Sequence, residues 1–500
     1  MKAGRREWIG LAVIALPCML YSMDLTVLNL AVPAISADLQ PSSTQLLWIL
    51  DIYGFMVASS LITMGTLGDR IGRRRLLLIG AALFGVTSVL AAFSTSAEML
   101  IVTRALLGLA GATLAPSTLS LIRNMFLEPG QRTFAIGVWV TSYAVGGALG
   151  PILGGIVLQH FWWGSAFLLG VPVMVLLLIV GPTLLPEFKD PEARRLDIPS
   201  AVLSLVAVLL VIYGLKRFAA EGPSWLSGSA AMAGVLVGVV FIRRQRRLDE
   251  PFMDLRLFRS AAFSASLAAY TLATFISFGS YIFIAQYLQL VLGLSPLDAG
   301  LWTVPLMCAY IVGSLLVPAL ARRFGSARVM SGGLVLSVPG FLLMARLGHS
   351  ASLTLLLVAS IVYSLGLSPV VILATDLIVG SAPIERAGSA SALSETSSEL
   401  GGALGIAVLG SIGGMVYREM MLNGVPAGVP VSVAQSARGT LGAAVAAAAA
   451  LPGASGSELV LTARAAFNHS FEVVSLISAA IALGTAIMTA LLLRRPSASA

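Results

Sequence analysis

Gly65-Thr66-Leu67-Gly68-Asp69-Arg70-Ile71-Gly72-Arg73-Arg74-Arg75 is a strongly charged break between two long apolar stretches. Four of its eleven residues are arginines, which a hydrocarbon layer accepts only at high cost. Its three glycines, Gly65, Gly68 and Gly72, permit a tight turn and a close approach of helices. Asp69 is placed to cap a helix end and to pair with arginines across the molecule. The stretch reads as a cytoplasmic hinge between two membrane spans, and the apolar runs around it decide the fold.

A run of about 20 apolar residues crosses the ~30 Å hydrocarbon core as a helix. Fourteen such runs are found, at 9–33, 45–67, 76–95, 99–121, 134–157, 163–185, 198–216, 226–242, 261–291, 299–320, 327–345, 351–379, 388–416 and 469–493. Several exceed ~20 residues, which predicts tilt or extension beyond the bilayer. Composition agrees. Hydrophobic residues make up 57% of the 500 and charged residues only 11%, against roughly 45–50% and 25% in soluble proteins. Mean hydropathy is +0.94. A soluble enzyme is excluded, and an all-α integral membrane protein is expected.

The net charge of +8 does not point to nucleic acid, because the cations cluster in short runs between apolar stretches. With both termini inside, 24 of the 31 Lys and Arg residues fall in inner segments and Arg104 lies within a span. That is the positive-inside pattern of the cytoplasmic loops of a multi-pass membrane protein. No P-loop motif is present. Cys18 and Cys308 both lie in apolar runs, so neither a disulfide framework nor a metal site is expected, and no cofactor is implied. The basic Met1–Arg6 segment leads directly into the first run and reads as the start of a retained span. The Ala-rich stretch 436–452 inserts weakly, so 418–467 is expected to be an external loop with helical pieces.

Gly146-Gly147-Ala148-Leu149-Gly150 in span 5 recurs as Gly401-Gly402-Ala403-Leu404-Gly405 in span 13, an offset of 255. Gly68–Gly72 aligns with Ala321–Gly325 at an offset of 253. The organisation expected is two parallel six-helix halves, 1–190 and 259–500, with spans 7 and 8 an inserted hairpin over 191–258. Paired halves around a midplane site are a transporter architecture.

Three stretches make the resemblance specific. The loop 65–75 matches the signature loop of the major facilitator superfamily. Leu100–Gly108 resembles that superfamily's motif with a membrane-embedded arginine, here Arg104. Gly146–Gly155 resembles its antiporter motif, in which small residues at four-residue spacing (Gly146, Gly150, Gly154, with Gly155) allow close helix approach and Pro151 permits bending. Met23–Asn29, Trp48–Tyr53 and Gly388–Gly410 look like the 14-span drug:proton antiporter branch of the QacA, LfrA and SmvA type. The resemblance implies a major facilitator fold with 14 transmembrane helices.

Five acids fall inside spans: Asp24, Asp51, Asp376, Glu395 and Glu399. A charge at the bilayer centre costs ~2.5–3.5 kcal/mol or more, so each needs a reason. Glu395 and Glu399 are four apart, on one helix face, roughly 10–17 Å from its inner end. Two like charges so placed should hold a proton between them near neutral pH and can trade it for a cation. The alternative is hydrogen bonding to a neighbouring helix. Asp24 and Arg104 lie at similar depth and can neutralise each other. Asp51 reads as either a site acid or an interfacial cap, and Asp376 as a site acid or a support for the inner end of span 12. In the resembling exporters, acids of spans 1 and 13 bind substrate or protons; the matching positions are Asp24, Glu395 and Glu399. Tyr53, Trp139, Tyr143, Phe275, Phe278, Tyr281, Trp302, Tyr310 and Tyr363 supply candidate ring faces for a lipophilic cation, with Phe278 opposite Asp24 across the repeat.

The expectation is a monomeric, proton-coupled exporter of lipophilic cationic small molecules, set in lipid of a bacterial inner membrane with both termini cytoplasmic. An exporter of an endogenous antibiotic or lipid-like product fits the same motifs. A non-transporting receptor or scaffold would leave dye accumulation unchanged.

Overall fold

In lipid every backbone polar group must find its partner within the segment, so apolar runs of this length become helices. The computed structural model describes residues 3–41, 43–189, 197–221, 224–248, 255–349, 352–383, 387–426, 429–449, 451 and 454–493. Among them every regular element is helical.

The chain runs through α1 (Arg5–Leu39), α2 (Ser43–Ile71), α3 (Arg73–Ala92), α4 (Ala97–Gly111), α5 (Leu114–Met125) and α6 (Pro129–His160). The short α7 (Ser165–Leu168) leads into α8 (Val171–Leu184), and α9 (Ile198–Glu221) and α10 (Trp225–Gln245) follow as a hairpin. Then come α11 (Ala261–Gln286), α12 (Pro296–Phe324), α13 (Ser326–Ala345), α14 (Leu353–Ser381) and α15 (Ala387–Gly424). The last three are α16 (Val431–Ala437), α17 (Leu441–Ala448) and α18 (Ala454–Leu492).

Sequence chemistry sets several boundaries. Ser96, Ser260, Ser295 and Ser352 each accept from the backbone N–H three residues on, capping α4, α11, α12 and α14. The break between α4 and α5 lies four residues before Pro116, which has no N–H to offer the Ala112 carbonyl. Gly72 begins α3 at φ +109°, a conformation that favours glycine.

Thirteen helical stretches among the described residues are long and apolar enough to cross a membrane, with α4–α5 and α7–α8 each making one. The run read as span 2 is the 29-residue α2, whose side chains are described in part. Within 418–467, α15 and α18 extend further than their apolar runs, and α16 and α17 have seven and eight residues. At 1.5 Å per residue neither short helix approaches the ~30 Å needed to cross.

The packing relations recur along the chain. α1 lies on α6 as α11 lies on α15; α2 lies on α4 as α12 lies on α14. A Cβ at Gly146 would strike the backbone of Met19, and one at Gly401 the carbonyl of Thr271. The repeated Gly-Gly-Ala-Leu-Gly sequence thus begins at a glycine in close backbone contact in both α6 and α15. Gly154 meets Val27, whereas Gly155 faces open space.

Candidate functional site

Arg104 is fully buried on α4. Its Nε donates to the Ile49 carbonyl at 2.7 Å and its Nη1 lies 3.2 Å from Asp24 Oδ2. Its guanidinium also sits 5.1 Å from the centroid of the Tyr53 ring. One arginine therefore joins α1, α2 and α4, and Asp24 neutralises it.

From Tyr53 a run of rings leads across the bundle. Tyr21 lies 5.8 Å from Tyr53 and 5.7 Å from Tyr143, and Tyr143 lies 4.9 Å from Trp139. The Tyr21 hydroxyl donates to Glu399 Oε1 at 3.3 Å, linking α1 to α15. One turn earlier on α15, Glu395 has its Oε1 buried with no hydrogen-bond partner among the described residues. Tyr143, Tyr270 and Tyr310 stand close enough to interact electrostatically with that carboxylate. Behind them, Trp139 Nε1 donates to Thr118 Oγ1 at 2.9 Å, and Cys18 Sγ lies 3.6 Å from the same hydroxyl.

The remaining predicted residues divide by place. Asp376 makes its contacts with α6 and not with the α15 carboxylates: Arg132 Nε is 2.5 Å from Oδ1, and Thr133 Oγ1 donates to Oδ2 at 2.8 Å. Asp69 pairs with Arg73 and accepts from Gly388 N, Ser389 N and Ser389 Oγ at 3.1, 3.1 and 2.8 Å, so it caps α15 from the end of α2. A Cβ at Gly65 would meet Ala392 and the Gly388 carbonyl, which keeps the two helices in contact there. Arg123 donates to the Gly380 carbonyl at 3.4 Å. These contacts seal the arginine-rich face. Arg70 is half-buried at the end of α2, and Gly68 faces Leu76. Gly150 is buried in α6. The side chains of Asp51 and Pro151 lie outside the described residues.

Among the aromatics, Tyr53, Trp139, Tyr143 and Tyr310 join the carboxylate region. Phe275 is partly buried, with its carbonyl against Gly405. Phe278 is 52% exposed and packs on Gly402; Tyr281 and Trp302 are also exposed. Tyr363 stacks on Phe341 in the core. Sequence reasoning missed Tyr21 and Tyr270. Tyr21 lies three residues before Asp24, hence one turn away on a helix, which was the available signal.

Long apolar helices packed into one bundle, with Glu395 and Glu399 half-buried on α15 beside a run of aromatic rings, are the architecture of a multi-pass membrane carrier. The Major Facilitator Superfamily profile matches residues 14–406, and the chain belongs to that family of multi-pass membrane transporters. It is 43% identical to the "Multidrug efflux pump LfrA" of Mycolicibacterium smegmatis, over 98% of this chain and 97% of the relative. It is 35% identical to the "Methyl viologen resistance protein SmvA" of Salmonella typhimurium, over 94% of each. Among solved structures, the fold resembles the human organic anion transporter MFSD10 at a TM-score of 0.64 and 17% identity, over 95% of this chain and 99% of that one.

Proposed function

We propose that this protein exports lipophilic cationic small molecules, such as quaternary ammonium compounds, dyes and biocides, in exchange for protons. The observation that carries the reading is the pair on α15: Glu395, with one oxygen buried and unbonded, and Glu399, held from α1 by Tyr21. A buried carboxylate without a compensating hydrogen bond is costly. A proton removes that cost, and so does a cation flanked by ring faces. The two ligands therefore compete for one place. The relatives named for multidrug efflux and for methyl viologen resistance support the substrate class, since methyl viologen is a flat aromatic dication.

The recurring helix pairings support two six-helix halves, 1–190 and 259–500, around a hairpin at 191–258, with α2 counted as the fourteenth span. In this reading the carrier is a monomer of the bacterial inner membrane with both termini and the arginine-rich face cytoplasmic, and the contacts across that face support an outward-facing arrangement. Opening requires Asp376 to leave Arg132 and Asp69 to leave the start of α15. The carboxylates then meet a cation from the cytoplasm and release a proton; after the halves rock back, an external proton displaces the cation. Moving a monovalent cation out against the membrane potential costs ~2.3 kcal/mol per 100 mV, which proton entry offsets.

Ethidium efflux from energised cells tests the proposal, comparing wild type with Glu399→Gln, each with and without a protonophore. Protonophore-sensitive efflux that Glu399→Gln abolishes is the expected result. Wild-type efflux that survives the protonophore would rule out proton coupling.

A further inference from the structure

The α9–α10 hairpin is joined to the bundle by two small apolar clusters that are separate from the main core. One holds Ile62, Ala201 and Phe241; the other holds Phe55, Ala58, Val208 and Ile212. At this seam a cavity of about 490 Å³ remains between α2, α9, α10 and α15. Its walls are apolar, with Ile62, Val208, Val239, Phe241, Leu393 and Leu400 among them. It runs along α10 from Val235 to the C-cap residue Arg246, a rise of roughly 16 Å. In a hydrocarbon layer, protein side chains leave such a seam to be filled by lipid.

The mouth of the cavity selects which lipid. Arg243 and Arg246 line it, both exposed and neither in an ion pair among the described residues. Their neighbour Arg244 is different. It is satisfied by Asp197, at 2.9 Å between Nη2 and Oδ1 and 3.1 Å between Nε and Oδ2. Two guanidinium groups three residues apart, about five-sixths of a helical turn, above an apolar trough match a phosphodiester with an acyl chain below it. The same charges repel a lipophilic cation, so this opening is not an entry route for the solutes proposed above.

We propose that this cavity is a binding site for one anionic phospholipid, its phosphate held by Arg243 and Arg246 and one acyl chain lying along the trough. The chain would rest on Thr396 and Leu400, on the turns of α15 that carry Glu395 and Glu399. The lipid thereby completes the packing of the hairpin against the helix that bears the carboxylates. The inference rests on the hairpin seam and is independent of what the carrier exports.

The test is native mass spectrometry of the delipidated full chain titrated with dioleoylphosphatidylglycerol or dioleoylphosphatidylcholine. The anionic lipid should bind about thirty-fold more tightly, the joint effect of two arginines on one anionic headgroup. The double variant Arg243→Gln/Arg246→Gln should erase that preference. Arg247→Gln, which removes a cation that does not line the cavity, should leave it intact. Val239→Trp should fill the trough and remove binding of both lipids. Equal binding of the two lipids by wild type would overturn the proposal. So would a preference that persists in the double variant. If the double variant does not fold, Val239→Trp decides, because a headgroup preference that survives a filled trough places the lipid elsewhere.

Discussion

Asp376→Asn should unseal the arginine-rich face, and the structure sets the size of the effect. The carboxylate joins α14 to α6 through Arg132 and Thr133, and the two charged side chains are only 14% and 10% exposed. These bonds exist only while the two helices are together, so their loss changes the balance between closed and open states. Asn keeps one oxygen for Thr133 but surrenders the charge facing Arg132. A hydrogen bond to a charged group contributes ~1.5–3 kcal/mol, and ~1.4 kcal/mol is a factor of ten. The closed-to-open ratio should therefore fall by roughly ten- to a hundred-fold. Spin labels at Leu127→Cys and Phe324→Cys, in a background lacking Cys18 and Cys308, would report the separation across this face. Electron–electron double resonance should show a long-distance population rising in Asp376→Asn. Arg132→Gln should shift the distribution similarly, and the double variant should add little, because both remove one interaction. An unchanged distribution in both single variants would refute the idea that this pair holds the face closed.

Three further outcomes follow from particular contacts. Tyr21→Phe should slow ethidium efflux several-fold without abolishing it, because Glu399 loses one donor but keeps its charge; a rate equal to wild type would remove Tyr21 from the site. Gly146→Leu should lower the melting temperature in detergent by several degrees, since overpacking costs ~1–3 kcal/mol or more, while Gly155→Ala should stay within ~0.5 kcal/mol of wild type because nothing faces it. The hydrogen bond from Arg244, helped by Ser200, holds the Asp197 carboxyl below its ordinary range. A carboxyl depressed in the folded state stabilises above its unfolded pKa of ~3.9, and that contribution disappears as pH falls through the folded value. The melting difference between wild type and Asp197→Asn should therefore be constant from pH 8 to about pH 5 and vanish on further acidification; a difference that grows in acid would contradict the pairing.

The parts legible in the sequence were those with local or periodic causes. Apolar runs fixed the helices because a span must satisfy its own backbone. The offset of 255 placed Gly146 and Gly401 at equivalent positions, and both meet a neighbouring backbone. Asp24 and Arg104 could be paired by depth alone, and they are 3.2 Å apart. What escaped was set by which face of a helix meets which neighbour. Asp376 was visible as a buried acid, but its partners are 243 and 244 residues away on α6. Tyr21 looked like any membrane tyrosine until α1 was set beside α15. The cavity at the hairpin had no counterpart in the repeat, so nothing in the sequence pattern drew attention to it.

The acids inside the bundle also sort by how their charge is met, and that sorting bears on the proposed mechanism. Asp24 faces Arg104, Asp69 faces Arg73, and Asp376 faces Arg132. Each of these pairs fixes a relation between helices, and each is broken at a cost when its helices part. Glu395 is arranged differently: its Oε1 is buried, it has no ion pair among the described residues, and its neighbours include the phenols of Tyr143, Tyr270 and Tyr310 and the Glu399 carboxylate. Tyrosine offers a polarisable face and a neutral hydroxyl, neither of which cancels a full charge. On the proposed mechanism the missing compensation comes from outside the chain, as a proton or as a cation that the rings also accept. A permanent arginine at that place would make the site a fourth strut. The proposed exchange needs a place without such a strut, so that the occupant of the α15 pair can change between the two sides of the membrane.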